Sequence, residues 1–178
     1  MTQTLSTEKI NKKIKVLLVC MGNICRSPTA EAVLTKKIQN LELVDWFEID
    51  SAGTHRYHVG KAPDPRTIEA GESHGLDLAH LRARQLQPED YYYYDYILLA
   101  DTTNQEDSEV INPGNGTARV FKMLYFAQNI TEEDVPDPYY GGPDGFKHVI
   151  ELIEDGMDGF LLFLEQEGRL PETRSVSC

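Results

Sequence analysis

The fold of this chain is decided by residues 14–34, which read IKVLLVCMGNICRSPTAEAVL. Residues 14–19 form a nearly unbroken apolar run, as expected for a short strand that is buried on both faces. Ser27 and Pro28 then predict the start of a helix, because a hydroxyl residue is a favoured N-cap and proline is accepted at the first helical position. Apolar residues continue at helical spacing as far as Leu41. The stretch therefore predicts a strand, a glycine-bearing turn and a helix, which together form a βα unit.

The alternation of strands and helices continues along the chain. Further strands are predicted at residues 46–51, 95–100 and 119–123, and further helices at residues 64–75 and 143–167. Such alternation indicates an α/β fold, in which a parallel sheet is covered by helices on both faces. Ligands of these sheets bind beyond the carboxyl ends of the strands, often beside the first one. Cys20 stands at that end of the first predicted strand.

The composition of the chain fits one domain. Its 178 residues are 40% hydrophobic, which is enough for a real core. We expect a single domain over residues 14–168, flanked by a flexible N-terminal arm (residues 1–13) and a flexible C-terminal tail (residues 169–178), because both ends are polar. The arm lacks the apolar stretch of a signal peptide, and no run approaches the roughly 20 apolar residues of a membrane span. Three cysteines are too few for a secreted disulfide scaffold, so the cytoplasm is the expected location.

The net charge of the chain limits its partners. There are 29 acidic and 17 basic residues, which gives −12. A surface of this charge repels nucleic acid and anionic membranes, whose binding depends on lysine and arginine, so neither is expected as a partner. Any site for a phosphate group must therefore create its own local positive potential.

Residues 20–27 have the features of such a phosphate site. A loop that precedes a helix can turn successive N–H groups inward to form an anion nest, and the helix N-terminus adds the positive end of its dipole. Gly22 and Asn23 tolerate the left-handed backbone that this turn needs. Arg26 can donate two parallel hydrogen bonds to phosphate oxygens. The predicted phosphate-binding residues are Met21, Gly22, Asn23, Ile24, Cys25, Arg26 and Ser27.

Cys20 is the predicted nucleophile of this site. The thiolate form of a cysteine is favoured at a helix N-terminus and beside arginine, and Ser27 can donate a hydrogen bond that stabilises it further. A zinc site is not indicated, since Cys20 and Cys25 lack a second pair of ligands. We therefore expect neither a metal ion nor another cofactor.

This loop resembles the signature of the low-molecular-weight protein tyrosine phosphatases, and the resemblance extends over roughly residues 15–165. The matching segments, in family order, are Ser51-Ala52-Gly53-Thr54, Ala62-Pro63-Asp64-Pro65-Arg66, His80 through Gln85, and Asp137-Pro138-Tyr139-Tyr140. The resemblance implies a three-layer sandwich with a four-stranded parallel sheet in the flavodoxin-like order 2-1-3-4. It also implies a protein tyrosine phosphatase that hydrolyses aryl phosphate monoesters.

The resemblance further implies a role for each matching residue. Cys20 would attack phosphorus and form a phosphocysteine intermediate, Arg26 would hold the phosphate, and Asp137 would act as general acid and then as general base. Taken alone, Asp137 could instead start a turn, and Asp101 could cap a helix. The residues implied to support the loop are Asn23, Ser51, His80 and Asp101, of which Asp101 would hold Arg26, and those implied to line the cleft are Tyr139 and Tyr140.

Two further residues are singled out by their chemistry. Tyr57 lies in a segment where family members differ, and it is the predicted aromatic wall against a phosphotyrosine ring. Cys25 is the predicted redox partner, because a neighbouring thiol can trap an oxidised Cys20 as a disulfide. The expected substrates are phosphotyrosine-containing proteins or small aryl phosphates, with inorganic phosphate as product and competitive inhibitor. We expect a monomer or a weak dimer.

Three alternative functions use a similar loop. Arsenate reductases share the fold, but the thioredoxin-coupled type needs two further cysteines after Gly75, and the chain has none between Cys25 and Cys178. Protein-arginine phosphatases look similar but carry threonine where this chain has Ile24, and isoleucine favours an aryl phosphate. A phosphopeptide-binding module that does not cleave its ligand would need neither Cys20 nor a candidate acid.

Overall fold

A four-stranded parallel sheet forms the centre of the molecule. The computed structural model describes residues 12–171. The strands of the sheet are β1 (Ile14–Cys20), β2 (Phe47–Gly53), β3 (Tyr96–Leu99) and β4 (Arg119–Lys122). Their order is β2-β1-β3-β4, and every neighbouring pair is parallel. The predicted fold class and strand order are confirmed.

Helices cover both faces of this sheet. The α-helices of the described residues are α1 (Arg26–Asn40), α2 (Pro65–Ser73), α3 (Asp90–Tyr93), α4 (Thr102–Ile111) and α5 (Pro143–Gln166). The long α5 lies where its apolar stripe predicts it. The sequence predicts the second strand at residues 46–51. In the structure Trp46 belongs to a 3₁₀ turn, Val44–Trp46, and β2 begins one residue later and extends to Gly53.

The two faces of β1 bury separate apolar clusters. Ile14, Val16 and Leu18 pack in one cluster with buried side chains of α1 and α5. Leu17 and Val19 pack in the other cluster, on the side of α3 and α4. Successive side chains of a strand point to opposite faces, so a strand covered on both sides has no polar alternation. This arrangement makes the molecule a three-layer sandwich.

The start of α1 differs from its prediction in one detail. The helix begins at Arg26, and its N-cap is Cys25, which makes no side-chain capping bond. The prediction that Ser27 is the N-cap is therefore wrong. The hydroxyl of Ser27 is engaged elsewhere, because it accepts a hydrogen bond from Asn23 and contacts Cys20.

The ends of the chain lie mainly outside the described residues. Of the predicted arm, the structure describes only residues 12 and 13, which are exposed. Of the predicted tail, residues 172–178 lie outside the described residues. After α5 the chain turns back at Gly168, whose φ is 72°, and Leu170 is buried against the core. The packed part therefore reaches beyond residue 168, and the domain limits stay a prediction. No helix within residues 12–171 is long and apolar enough to cross a membrane.

Candidate active site

The loop between β1 and α1 is fastened to its neighbours by backbone hydrogen bonds. The N–H of Thr54 donates to the carbonyl of Cys20, and the N–H of His55 donates to the carbonyl of Met21, both at 2.9 Å. Gly53 makes this close approach possible, because a Cβ atom there would lie 2.6 Å from the carbonyl oxygen of Met21. The end of β2 therefore fixes one side of the loop.

Asn23 shapes the loop from within. Its φ of 56° is the left-handed conformation that the sequence predicted for this turn. The buried side chain donates from Nδ2 to Ser27 Oγ at 2.7 Å and to Ser51 Oγ at 3.0 Å, while Oδ1 accepts from the N–H of Arg84 at 3.0 Å. Three side-chain hydrogen bonds thus hold an otherwise unfavourable backbone in place.

Cys20 ends β1 with its sulfur beside a hydroxyl. The Sγ atom lies 3.0 Å from Ser27 Oγ, and either group can be the donor. When the sulfur is a thiolate, the hydroxyl must donate, because a thiolate has no proton. Cys20 and Cys25 are both free cysteines.

Arg26 lies buried beside the loop and is held by two acceptors. Its Nη1 atom donates to Asp101 Oδ2 and to the carbonyl of Val135, the latter at 2.9 Å. Burial alone would lower the pKa of this guanidinium, but the charges of Cys20 and Asp101 raise it above its ordinary value. The site therefore keeps a permanent positive charge in a protein that is acidic overall.

Asp137 faces the same guanidinium from another segment. Its Oδ2 atom lies 3.7 Å from Arg26 Nη2, and its Oδ1 atom accepts from the N–H of Tyr139 at 3.0 Å. The carbonyl of Tyr139 accepts in turn from Arg66 Nη1 at 3.0 Å, and Arg66 is paired with Asp64 at the start of α2. The segment that carries Asp137 is therefore anchored to α2.

One cavity of about 250 Å³ brings these groups together. Tyr57, Tyr139 and Tyr140 line its mouth, and Tyr57 is 73% exposed. The ring of Tyr57 stacks on His55 with the centroids 5.3 Å apart. His58, which belongs with Tyr57 to the segment where family members differ, also lines the cavity. The lining residues are Cys20, Met21, Gly22, Ile24, Cys25, Arg26, Tyr57, His58, Asp137, Tyr139 and Tyr140.

His80 is not part of the support behind the loop. Its side chain is 65% exposed and pairs with Asp77, with Nδ1 and Oδ1 3.3 Å apart. Ser51 instead donates from Oγ to Glu31 Oε2 at 2.6 Å. The hydrogen bond that Ser51 donates behind the loop is therefore accepted by a carboxylate on α1 and not by His80.

Cys25 is buried next to the nucleophile. Burial raises the pKa of its thiol to about 12, so Cys25 keeps its proton at ordinary pH. The two cysteines therefore differ in chemistry: burial outweighs the lowering effect of the Thr67 hydroxyl and keeps Cys25 a thiol, whereas the sulfur of Cys20 lies 3.0 Å from the hydroxyl of Ser27.

Comparison with known proteins gives a consistent result. The family model for low molecular weight phosphotyrosine protein phosphatase matches residues 15–170. A phosphatase of that name from Schizosaccharomyces pombe is 40% identical, with 85% of this chain and 97% of the relative covered. A low molecular weight protein-tyrosine-phosphatase of Streptomyces coelicolor is 37% identical, with 87% and 97% covered. The crystal structure of a protein tyrosine phosphatase from Entamoeba histolytica superposes with a TM-score of 0.83 at 40% identity, covering 89% of this chain and 100% of that one.

Proposed function

The chain belongs to the low molecular weight phosphotyrosine protein phosphatase family and is a protein tyrosine phosphatase, and we propose that Cys20, Arg26 and Asp137 carry its catalysis. The observation that supports this assignment is their convergence on one cavity. A sulfur, a buried guanidinium and a carboxylate line it together, at the carboxyl end of β1. These are the groups that transfer of a phosphoryl group to a thiolate requires.

Binding of the substrate comes first. The phosphate of a phosphotyrosine side chain enters the loop of residues 21–27, where N–H groups and Arg26 hold its oxygens. Because negative charge is spread over these oxygens in the transition state, fixed donors stabilise the reaction without having to reorganise. Tyr57 and Tyr139 flank the aromatic ring of the substrate.

The first chemical step transfers the phosphoryl group to sulfur. The thiolate of Cys20 attacks phosphorus, so that a sulfur–phosphorus bond forms while the bond to the phenolic oxygen breaks. Asp137, protonated at this stage, gives its proton to the departing oxygen. The products of this step are a free tyrosine side chain and a phosphocysteine.

The second step hydrolyses the phosphocysteine. Asp137, now ionised, takes a proton from a water molecule whose oxygen attacks phosphorus. The sulfur–phosphorus bond breaks, and Cys20 leaves as a thiolate that can accept a hydrogen bond from Ser27. Inorganic phosphate is the product, and because it fits the same loop it competes with substrate.

The aryl preference rests on the residues that line the cavity. Ile24 is one of them, and its apolar side chain offers no polar partner to the guanidinium of phosphoarginine. Tyrosines at the mouth favour a flat ring. Parallel assays with phosphotyrosine and phosphoarginine peptides measure this preference, and faster cleavage of phosphoarginine would overturn it.

The cellular compartment and the oligomeric state are also proposals. A reducing compartment such as the cytoplasm fits an enzyme whose nucleophile must stay a thiolate. A monomer or a weak dimer suffices, because all the residues named for the chemistry come from one chain.

Turnover of p-nitrophenyl phosphate tests the assignment. The wild type should release p-nitrophenol, and Cys20→Ser should release none while still binding inorganic phosphate. Rapid quenching of the wild type should trap a phosphorylated cysteine. Substantial turnover by Cys20→Ser, or phosphate trapped on any other residue, would contradict the mechanism.

A further inference from the structure

A chain of hydrogen bonds runs from the nucleophile to a carboxylate on the far side of the loop. Ser27 contacts Cys20 at 3.0 Å, and Asn23 Nδ2 donates to Ser27 at 2.7 Å. The same nitrogen donates to Ser51 at 3.0 Å, and Ser51 donates to Glu31 Oε2 at 2.6 Å. Three side chains, those of Ser27, Asn23 and Ser51, therefore link the reactive sulfur of Cys20 to the carboxylate of Glu31.

The direction of this chain follows from the number of protons available. A hydroxyl group carries one proton, so Ser51 can donate to Glu31 only while its lone pairs accept from Asn23. Ser27 likewise accepts from Asn23, so its single proton is available to the sulfur of Cys20 at 3.0 Å, or to the carbonyl of Ala52 at 3.3 Å. The donated hydrogen bonds therefore run outward from Asn23 in two directions, through Ser27 towards the sulfur of Cys20 and through Ser51 to the carboxylate of Glu31.

We infer that Glu31 is a positioning residue for the phosphatase reaction, whose carboxylate, by accepting the proton of Ser51, orients Asn23 and so directs the hydroxyl of Ser27 at the sulfur of Cys20. The inference rests on the proposed function of Cys20. A charged acceptor makes a hydrogen bond about twice as strong as a neutral one, so the orienting effect depends on the ionised form of Glu31.

Glu31 changes its charge near neutral pH, where an enzyme commonly works. Burial raises the pKa of Glu31 to about 7, against the lowering effect of the hydrogen bond from Ser51. A cavity of about 330 Å³ beside α1 reaches the carboxylate, so its proton exchanges with solvent. The charged and titratable groups around Glu31 are Asp50, Arg84, Lys36, Asp77 and His80.

The test compares Glu31→Gln with the wild type over pH 5.5 to 8.5. Glutamine keeps a neutral acceptor for Ser51 but cannot ionise. Both enzymes share the ionisations of substrate, Cys20 and Asp137, so the ratio of their kcat/KM values isolates Glu31. We expect a ratio near one at pH 5.5, rising to about three- to tenfold in favour of the wild type at pH 8.

A second readout does not depend on turnover. Alkylation of Cys20 by iodoacetate, followed by mass spectrometry with Cys20→Ser as blank, should show the same pH-dependent difference. Asp77→Asn is the matched control, since it removes an exposed carboxylate from the rim of the same cavity, and it should follow the wild type. A ratio that is constant over pH, or a control that behaves like Glu31→Gln, would overturn the inference.

Ser51→Ala covers the case in which Glu31→Gln folds poorly. This substitution cuts the link between Glu31 and Asn23, so the wild-type inflexion near pH 7 should vanish, and adding Glu31→Gln should cause no further change. Additive effects in the double variant would refute the coupling. Failure of the proposed function looks different, because the wild type would then show no turnover that depends on Cys20.

Discussion

The hydroxyl oxygen of Ser27 lies 3.0 Å from the sulfur of Cys20. Asn23 donates to that oxygen at 2.7 Å, so the proton of Ser27 is available to the sulfur or, at 3.3 Å, to the carbonyl of Ala52. In the proposed mechanism Cys20 is a thiolate twice, as attacking group and as leaving group. One hydrogen bond therefore stabilises both the start of the first step and the end of the second.

Ser27→Ala should slow turnover by about 10- to 100-fold, since a hydrogen bond to a charged group contributes about 1.5–3 kcal/mol. The loss should fall mainly on hydrolysis of the phosphocysteine, because a thiolate without its donor is a poorer leaving group. Stopped-flow release of p-nitrophenol should then show a larger burst relative to the steady rate. Ser73→Ala, on the exposed side of α2, is the control and should match the wild type. A Ser27→Ala enzyme with unchanged kcat would remove the hydroxyl from the mechanism.

Asp101→Asn should destabilise the fold and weaken phosphate binding. Asp101 has two tasks, since Oδ1 accepts from the N–H of Asn104 at the start of α4 and Oδ2 accepts from the buried Arg26. Asparagine keeps the cap but removes the carboxylate that is hydrogen-bonded to the buried Arg26, at a cost of about 3–5 kcal/mol. Asp101→Ala should lose about 1 kcal/mol more with the cap. Urea unfolding of both variants measures the two contributions, and equal stability of Asp101→Asn and wild type would contradict this division.

The fold and the chemistry of the loop could be predicted because local patterns determine them. Residues 14–19 are apolar throughout since β1 is covered on both faces, and the left-handed Asn23 needs a residue type that tolerates that backbone. The two interpretations of Asp101, helix cap and partner of Arg26, both describe the structure. The same carboxylate of Asp101 thus fits a local pattern, that of a helix cap, and makes a long-range contact, that with Arg26.

The resemblance points to Asn23, Ser51 and Asp101 as support for the loop, but the contribution of Glu31 and the exposure of His80 depend on long-range packing and could not be predicted from the sequence. Glu31 looks like an ordinary polar residue on a helix, and its partner Ser51 lies on β2, 20 residues later. His80 fits the family pattern, but its segment leaves the ring exposed beside Asp77. Arg66 was visible only as part of a matching segment, and its bond to the carbonyl of Tyr139 appears once α2 is packed.

Asp137→Asn should lower kcat by about 10²- to 10⁴-fold on phenyl phosphate, the range that general acid catalysis supplies. The loss should be smaller on p-nitrophenyl phosphate, because p-nitrophenolate leaves without needing a proton. Inhibition by inorganic phosphate should stay close to that of the wild type, since Arg26 and the loop are intact. Asp144→Asn, an exposed carboxylate in the first turn of α5, is the matched control. Equal losses on the two substrates would mean that Asp137 is not the proton donor.

Peroxide should convert Cys20 and Cys25 into a disulfide that reductant reverses. Peroxide oxidises the thiolate of Cys20 to a sulfenic acid, and the thiol of Cys25 then displaces its hydroxyl, so that a sulfur–sulfur bond forms and water leaves. Because burial raises the pKa of Cys25 to about 12, it attacks as a thiol, and trapping should lose to over-oxidation at high peroxide. Dithiothreitol should restore the wild type after mild treatment and restore Cys25→Ser less completely. Equal recovery of the two enzymes would exclude the trap.

Glu31→Gln should be more stable than the wild type at pH 8 and equally stable near pH 4.5. The raised pKa of Glu31 means that the unfolded chain ionises near 4.5 and the folded chain near 7, so between these values the folded state holds the extra proton. Stability of the wild type therefore falls as pH rises through this window, by up to about 3 kcal/mol, and glutamine removes that loss. Urea unfolding at the two pH values measures it, with Asp77→Asn as control. If the two proteins differ in stability by the same amount at both pH values, the effect comes from packing and not from ionisation. If they differ only at pH 8, and Glu31→Gln is also slower there, the enzyme keeps a destabilising carboxylate because the phosphate loop uses its charge.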